Sequence, residues 1–362
     1  MILERVRRGV YEQARLVTGD RGVGKTVFLA HLADDATAQG RWPVEVAARR
    51  GDASVRDLMV RIAETLVARD AAAALTRGAS GALRRIAGVQ AGATGVRLEV
   101  RQPAATESVD RGRALADLLV EAARLARDRG AVLVLLLDEM QNASESALGD
   151  LCHALQHAQS TADIEVGPRG ERLRRHLPLV VYLAGLPGLP DQIRRAGATF
   201  FERVAHLDFG LLGEPEVREA LLAFAEHENV SIEQQAIDAM VEAIGGYPYF
   251  LHVVGTRVWQ AGEGRVITAD EGIAAARHDV ARLYDERLRG LGEVSHDWLA
   301  AAAALEPGDR NVGAVAAQLG ATSDRYGWVA SALTQQGLIR PAQGRGRFAF
   351  ALPGLDAHIR SG

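Results

Sequence analysis

Lysine is almost absent from this chain of 362 residues. Lysine and arginine together number 42, yet Lys25 is the single lysine. Cysteine is equally scarce: one residue, Cys152, which excludes an internal disulfide and any small fold stapled by disulfides. Long apolar runs are missing too. The longest strongly apolar one, "AVLVLLL" at 131–137, is sized for a strand and falls far short of the ~20 residues that cross a bilayer. No signal-like apolar segment opens the chain. The formal net charge of −4 supplies no global basic field to attract nucleic acid or an anionic membrane. These absences lead to the expectation of a soluble, cytoplasmic protein without a membrane partner. Hydrophobic residues at 48% and charged residues at 24% give ordinary globular material, enough for two or three domains.

The lone lysine sits in "LVTGDRGVGKTVF", residues 16–28. Apolar, β-branched "ARLVT" before it reads as a buried strand, and "VFLAHLADDATAQG" after it as a helix. Gly19, Gly24, Lys25 and Thr26 fit G-x-x-x-x-G-K-[ST] in the strand-to-helix context of a phosphate-binding loop. Glycines let successive N–H groups turn toward phosphate oxygens, and the helix N-terminus adds its positive end. Lys25 would reach the β and γ phosphates, and the Thr26 hydroxyl would ligate Mg²⁺. Arginine, planar and forked, cannot replace that compact ammonium, so the loop keeps a lysine where the rest of the chain has none.

"AVLVLLLDEMQN" (131–142), about 110 residues further on, is an apolar strand ending in two acids. Strands buried on both faces read this way, and ligands bind at their carboxyl ends. It looks like a Walker B element, with Asp138 orienting the Mg²⁺ shell and Glu139 polarising the attacking water. Around these motifs the first 210 residues alternate strand and helix. Strands are expected at 43–49, 131–137, 177–185 and 203–210, and helices at 54–75, 107–130 and 144–160. Residues 78–107 are Gly/Ala-rich and yield only "GVRLEVR" as a strand candidate, while "RGERLRR" (169–175) reads as a solvated loop or helix face. From Leu211 the pattern turns helical, with Ser231 as a candidate N-cap. After "GLGE" come three short helical patterns and the hairpin signal "LIRPAQGRGRFAFALPG", which together suggest a winged helix. The expected division is an α/β domain over 1–210, a helical lid over 211–292 and a winged helix over 293–362.

This order resembles the AAA+ superfamily of P-loop NTPases, a parallel sheet with a helical lid and a C-terminal winged helix. It resembles most the prokaryotic origin-recognition-like and STAND-type branch. "LLLDEMQ" (135–141), "VVYLAGLPGLP" (180–190), "FFERVAHLDF" (200–209), "GGYPYFLHVVG" (245–255) and "GLIRPAQGRGRFAFALPGLDAHIR" (337–360) carry the likeness. The resemblance implies an ATPase with ATP and Mg²⁺ as cofactors, held between sheet and lid. Lys25, Thr26, Asp138 and Glu139 carry over directly, with Gly19, Gly22, Gly24 and Val27 as further nucleotide contacts. Arg203 matches an arginine that in such proteins acts as a finger across a subunit interface or brackets the nucleotide in cis. Pro248, with Gly246, matches the lid element that touches nucleotide from above, and Arg257 nine residues on would face phosphate. Relatives hold adenine with a longer N-terminal segment bearing a Gly-Arg box. Here 18 residues precede Gly19, implying either a start set too late or a base pocket built differently. Ala184 and Gly185 stand where many relatives place a polar γ-phosphate sensor, which leans toward a slow switch.

The winged helix invites a double-stranded DNA partner, through "TSDRYGWVASALTQQG" (322–337) and the wing arginines Arg340, Arg345 and Arg347. Residues 293–362 hold six arginines against six acids, without the clustered cations that phosphate contacts need. The alternative is a signalling or scaffold STAND-type ATPase that docks a protein partner, with little turnover and no DNA binding; a homo-oligomer is a further expected partner. A third reading is a nucleotide binder without turnover.

Overall fold

In the computed structural model the described residues are 2–51, 53–76, 88–92, 95–99, 108–166, 169–198, 204–261, 266–267, 270–344 and 346–361. They form two compact units, Met1–Gly19 with Lys25–Asp208, and Asp20–Gly24 with Phe209–Gly362.

The first unit is α/β. Its strands are β1 (Arg15–Gly19), β2 (Trp42–Ala47), β3 (Gly88–Gly92), β4 (Gly95–Glu99), β5 (Leu133–Asp138), β6 (Ala162–Val166), β7 (Arg172–His176), β8 (Leu179–Gly185) and β9 (Ala205–Phe209). Five of them make one sheet in the order β2-β5-β8-β1-β9. The pairs β2/β5, β5/β8 and β8/β1 are parallel. Every residue of β5 and β8 is buried, as expected for central strands covered on both faces. Helix Lys25–Ala38 packs on β2, β5 and β8, and helix Ala53–Thr76 packs on β2 and on helices Ser108–Asp128 and Glu145–Ser160, which also pack on each other. Ser144 caps the last of these by accepting from the Ala147 N–H at 3.1 Å.

The basic run 169–175 departs from expectation. It leads into β7, which pairs antiparallel with β6 as a hairpin, so it is neither a plain loop nor a helix face. Ile164 and Val166 on β6 are 59% and 75% exposed, so this hairpin lacks the buried alternate positions that would betray a strand in sequence. Its base is tied down by Asp163, which pairs with Arg127 and Arg124 of helix Ser108–Asp128.

The second unit is mainly helical, with Glu214–His227, Gln234–Ile244, Pro248–Ala261, Asp270–Leu288, Glu293–Ala304, Val312–Gln318, Ser323–Gln335 and Leu355–Ser361. Ser231 is not the N-cap of Gln234–Ile244. It belongs to a two-residue strand, β10 (Ser231–Ile232), that pairs with β11 (Val266–Ile267), and Glu233 takes the cap position. The hairpin near the C-terminus is formed by β12 (Ile339–Pro341) and β13 (Phe348–Phe350). One apolar cluster runs from Val217 through Tyr247, Phe250 and Trp298 to Leu355. Arg310 crosses it 4.9 Å over the Phe350 ring and pairs with Asp356 at 2.6 Å.

Candidate nucleotide site

Parallel register brings the expected site residues of the first unit to one sheet edge. Thr18 on β1 lies opposite Gly185 on β8, and Leu183 of β8 lies opposite Leu137 of β5. Gly19, Gly185 and Asp138 therefore end neighbouring strands at the same carboxyl edge, where ligands of open α/β sheets bind. Behind that edge the Thr18 hydroxyl donates to the Asp208 carboxylate and ties β1 to β9.

Lys25 opens its helix and is only 6% exposed. Its Nζ donates to the Gly19 carbonyl at 2.8 Å, so the ammonium lies across the mouth of the loop that bears it. The next residue, Thr26, reaches over β8 and donates its hydroxyl to Asp138 Oδ2 at 2.6 Å. The other Asp138 oxygen accepts from the Glu139 N–H at 2.8 Å. A hydroxyl and a carboxylate in contact form a pair of hard oxygen donors, suited to Mg²⁺ rather than to a soft metal.

Glu139 has φ 53° and ψ 31°, the left-handed region, which costs a residue with a Cβ about 1–2 kcal/mol. A short 3₁₀ turn over Met140–Asn142 locks it there, with Asn142 N–H donating to the Glu139 carbonyl at 2.9 Å. Gln141 then holds the carboxylate: its Nε2 donates to Glu139 Oε2, while its Oε1 accepts from the Leu186 N–H at 3.1 Å. Gly185 permits that approach, because a Cβ there would lie 2.9 Å from Gln141 Oε1. The β8 edge lacking a polar side chain at Ala184 and Gly185 thus carries an amide supplied by Gln141. Gln141 lies within the motif "LLLDEMQ" without an expected role, and a Gln two residues beyond Glu139 is the signal that points to it.

The remaining candidates fall elsewhere. Gly22 and Gly24 adopt φ 77° and 93°, as a loop turning its N–H groups to one side requires, and both group with the second unit. Val27 is 62% exposed on the first turn of the Lys25 helix. Pro248 is the first residue of helix Pro248–Ala261 in the second unit. On the same helix Arg257 is paired with Asp279. Arg203 and Arg345 lie outside the described residues.

An α/β sheet of order β2-β5-β8-β1-β9 with a glycine loop after β1 and an acid pair after β5 defines a P-loop NTPase. Residues 2–165 match the AAA ATPase domain, and residues 281–359 match a domain of unknown function, DUF8462. No curated protein matches the sequence. Among solved structures, the Walker-type ATPase PABY2304 of Pyrococcus abyssi is similar over 96% of this chain and 91% of that one, with TM-score 0.58 and 16% identity. The ORC2 protein of Aeropyrum pernix, in its ADPNP-ADP complexes, is similar over 99% and 91%, with TM-score 0.56 and 14% identity. Its ADP form gives TM-score 0.52 at 14% identity. At such identities the likeness is one of fold. Residues 2–165 thus resemble an AAA ATPase domain, and the fold of the chain resembles those of the Walker-type ATPase and the ORC2 protein.

Proposed function

We propose that the chain binds ATP with Mg²⁺ through its phosphate loop and hydrolyses it slowly, as a nucleotide-controlled switch. The observation that carries this reading is the contact of Thr26 with Asp138 at 2.6 Å beside the buried Lys25 ammonium, which assembles both acidic and basic halves of a phosphate site at one sheet edge. Lys25 exchanges the Gly19 carbonyl for β- and γ-phosphate oxygens and neutralises the charge that builds on the transferring group. Thr26 and Asp138 would hold Mg²⁺, which when bound would neutralise charge on the phosphate oxygens. Glu139 accepts the proton of a water whose oxygen attacks the γ-phosphorus, while the bond to the β–γ bridging oxygen breaks and ADP leaves. Gln141 keeps that carboxylate aimed. Gly22, Gly24, Val27 and Pro248 contact the nucleotide, and Arg203 serves as a finger toward a second copy's nucleotide.

For the output, charge favours a protein partner over DNA. Of the six arginines in 293–362, Arg310 is paired with Asp356, Arg347 donates to the Gly308 carbonyl and Arg360 to the Ala303 carbonyl. The six arginines are matched by six acids over the same residues, so no net positive field is left to attract phosphates. Helix Ser323–Gln335, the expected recognition helix of a winged helix, instead presents Trp328 at 62% exposure, an anchor of the kind protein interfaces use.

Titrating the protein with ATP, with Mg²⁺ and then with a chelator, tests the reading. Saturable binding that weakens on chelation supports it, and absence of any ATP binding overturns it.

A further inference from the structure

A phosphate loop presents its N–H groups to one side, so its carbonyls face the other way and need partners of their own when buried. Within the second unit those partners are supplied where helix Pro248–Ala261 begins, by Tyr247 just before it and Tyr249 in its first turn. The Tyr247 hydroxyl donates to the Arg21 carbonyl, and the Tyr249 N–H donates to the Gly22 carbonyl at 3.1 Å. Val23, the next residue, is buried in the same apolar cluster as Tyr247 and Phe250. Three consecutive loop residues are thus gripped by one turn.

The grip is built rather than incidental. Tyr247 is 1% exposed and its ring meets Phe250 edge-on at 4.8 Å. Gly246, at φ 76°, brings it into place: the Leu212 N–H donates to the Gly246 carbonyl at 2.7 Å, and a Cβ on Gly246 would collide with the Leu212 carbonyl. Gly22 is complementary. A Cβ there would collide with the Tyr247 hydroxyl and lie 2.8 Å from its Cζ. Gly22 is therefore demanded by the tyrosine as well as by its own φ of 77°. Burial pushes the phenol up to about 12, so across ordinary pH it remains a donor.

We propose that Tyr247 is a positioning residue for the phosphate loop. Its hydroxyl fixes the Arg21 carbonyl and so the direction of the loop's N–H groups, making nucleotide affinity depend on a side chain of the helical unit. This rests on the ATP reading given above. By linkage the dependence runs both ways: nucleotide in the loop strengthens the grip, and whatever displaces the turn at 245–249 weakens nucleotide binding.

The test is Tyr247→Phe, which removes the hydroxyl and keeps the ring, beside Phe250→Leu, which loosens the same cluster and keeps the hydroxyl. Two readouts are taken on the full chain: ATP affinity, and amide hydrogen exchange of the loop peptide over 20–27 without nucleotide. Tyr247→Phe is expected to weaken ATP about 5- to 10-fold, the worth of one lost hydrogen bond, and to speed loop exchange. Phe250→Leu is expected to lower the unfolding midpoint while ATP affinity stays at the wild-type value. Unchanged ATP affinity in Tyr247→Phe, or an equal loss in Phe250→Leu at matched stability, overturns the proposal. If the wild-type chain binds no ATP, the nucleotide reading fails separately, and unchanged loop exchange in Tyr247→Phe then overturns the grip itself.

Discussion

The turns that follow β1 and β5 begin at the same sheet edge and both need left-handed backbone, but they meet that need in opposite ways. After β1 the positive φ values fall on Gly22 and Gly24, where no side chain resists them. After β5 the left-handed residue is Glu139, which keeps a side chain at some conformational cost. The first turn is useful through its backbone, whose carbonyls are held from outside by Tyr247 and Tyr249 while Val23 is buried in the same cluster. The second is useful through a carboxylate, so the strain is tolerated and the holding group, Gln141, comes from the same turn. Where a glycine would be easier and a carboxylate stands instead, the chemistry of that carboxylate is what the position retains.

Replacing the strained residue gives the largest effect on that contrast. Glu139→Gly is expected to gain on the order of 0.5–1 kcal/mol of stability, by denaturant unfolding, as the left-handed penalty disappears. The same change is expected to reduce single-turnover ATP hydrolysis about 10²- to 10⁴-fold through loss of the base. A variant that loses stability, or that still hydrolyses at the wild-type rate, would collapse the distinction between the turns. Gln141→Ala sharpens it with a smaller effect. The carboxylate stays but is no longer held, so the hydrolysis rate should fall about 10-fold while the ATP dissociation constant is unchanged. A parallel loss of affinity would mean that Gln141 shapes the pocket rather than the base.

The same contrast explains what could be read before the fold was known. The strand ends at Gly19, Gly185 and Asp138 were readable because buried parallel strands are written as apolar runs such as "LVLLL", and their stops are glycine or acid. Lys25 and Thr26 were readable because their spacing is fixed within one turn. The hairpin β6–β7 was not, since exposed Ile164 and Val166 alternate with polar residues without marking a buried face. Ser231 misled because a residue with good cap chemistry is equally at home beginning a short strand. Tyr247 was out of reach for a different reason: its partner carbonyl lies 226 residues away in sequence, and no local pattern encodes that encounter.

The measurement that bears most directly on the ATP reading is equilibrium ATP binding, followed by single-turnover hydrolysis, for the wild-type chain beside Lys25→Ala. Removing a buried ammonium from a phosphate site should weaken ATP about 100-fold or more and take the hydrolysis signal with it. If Lys25→Ala binds and cleaves ATP as the wild type does, the site does not work through its phosphate loop and the account is wrong.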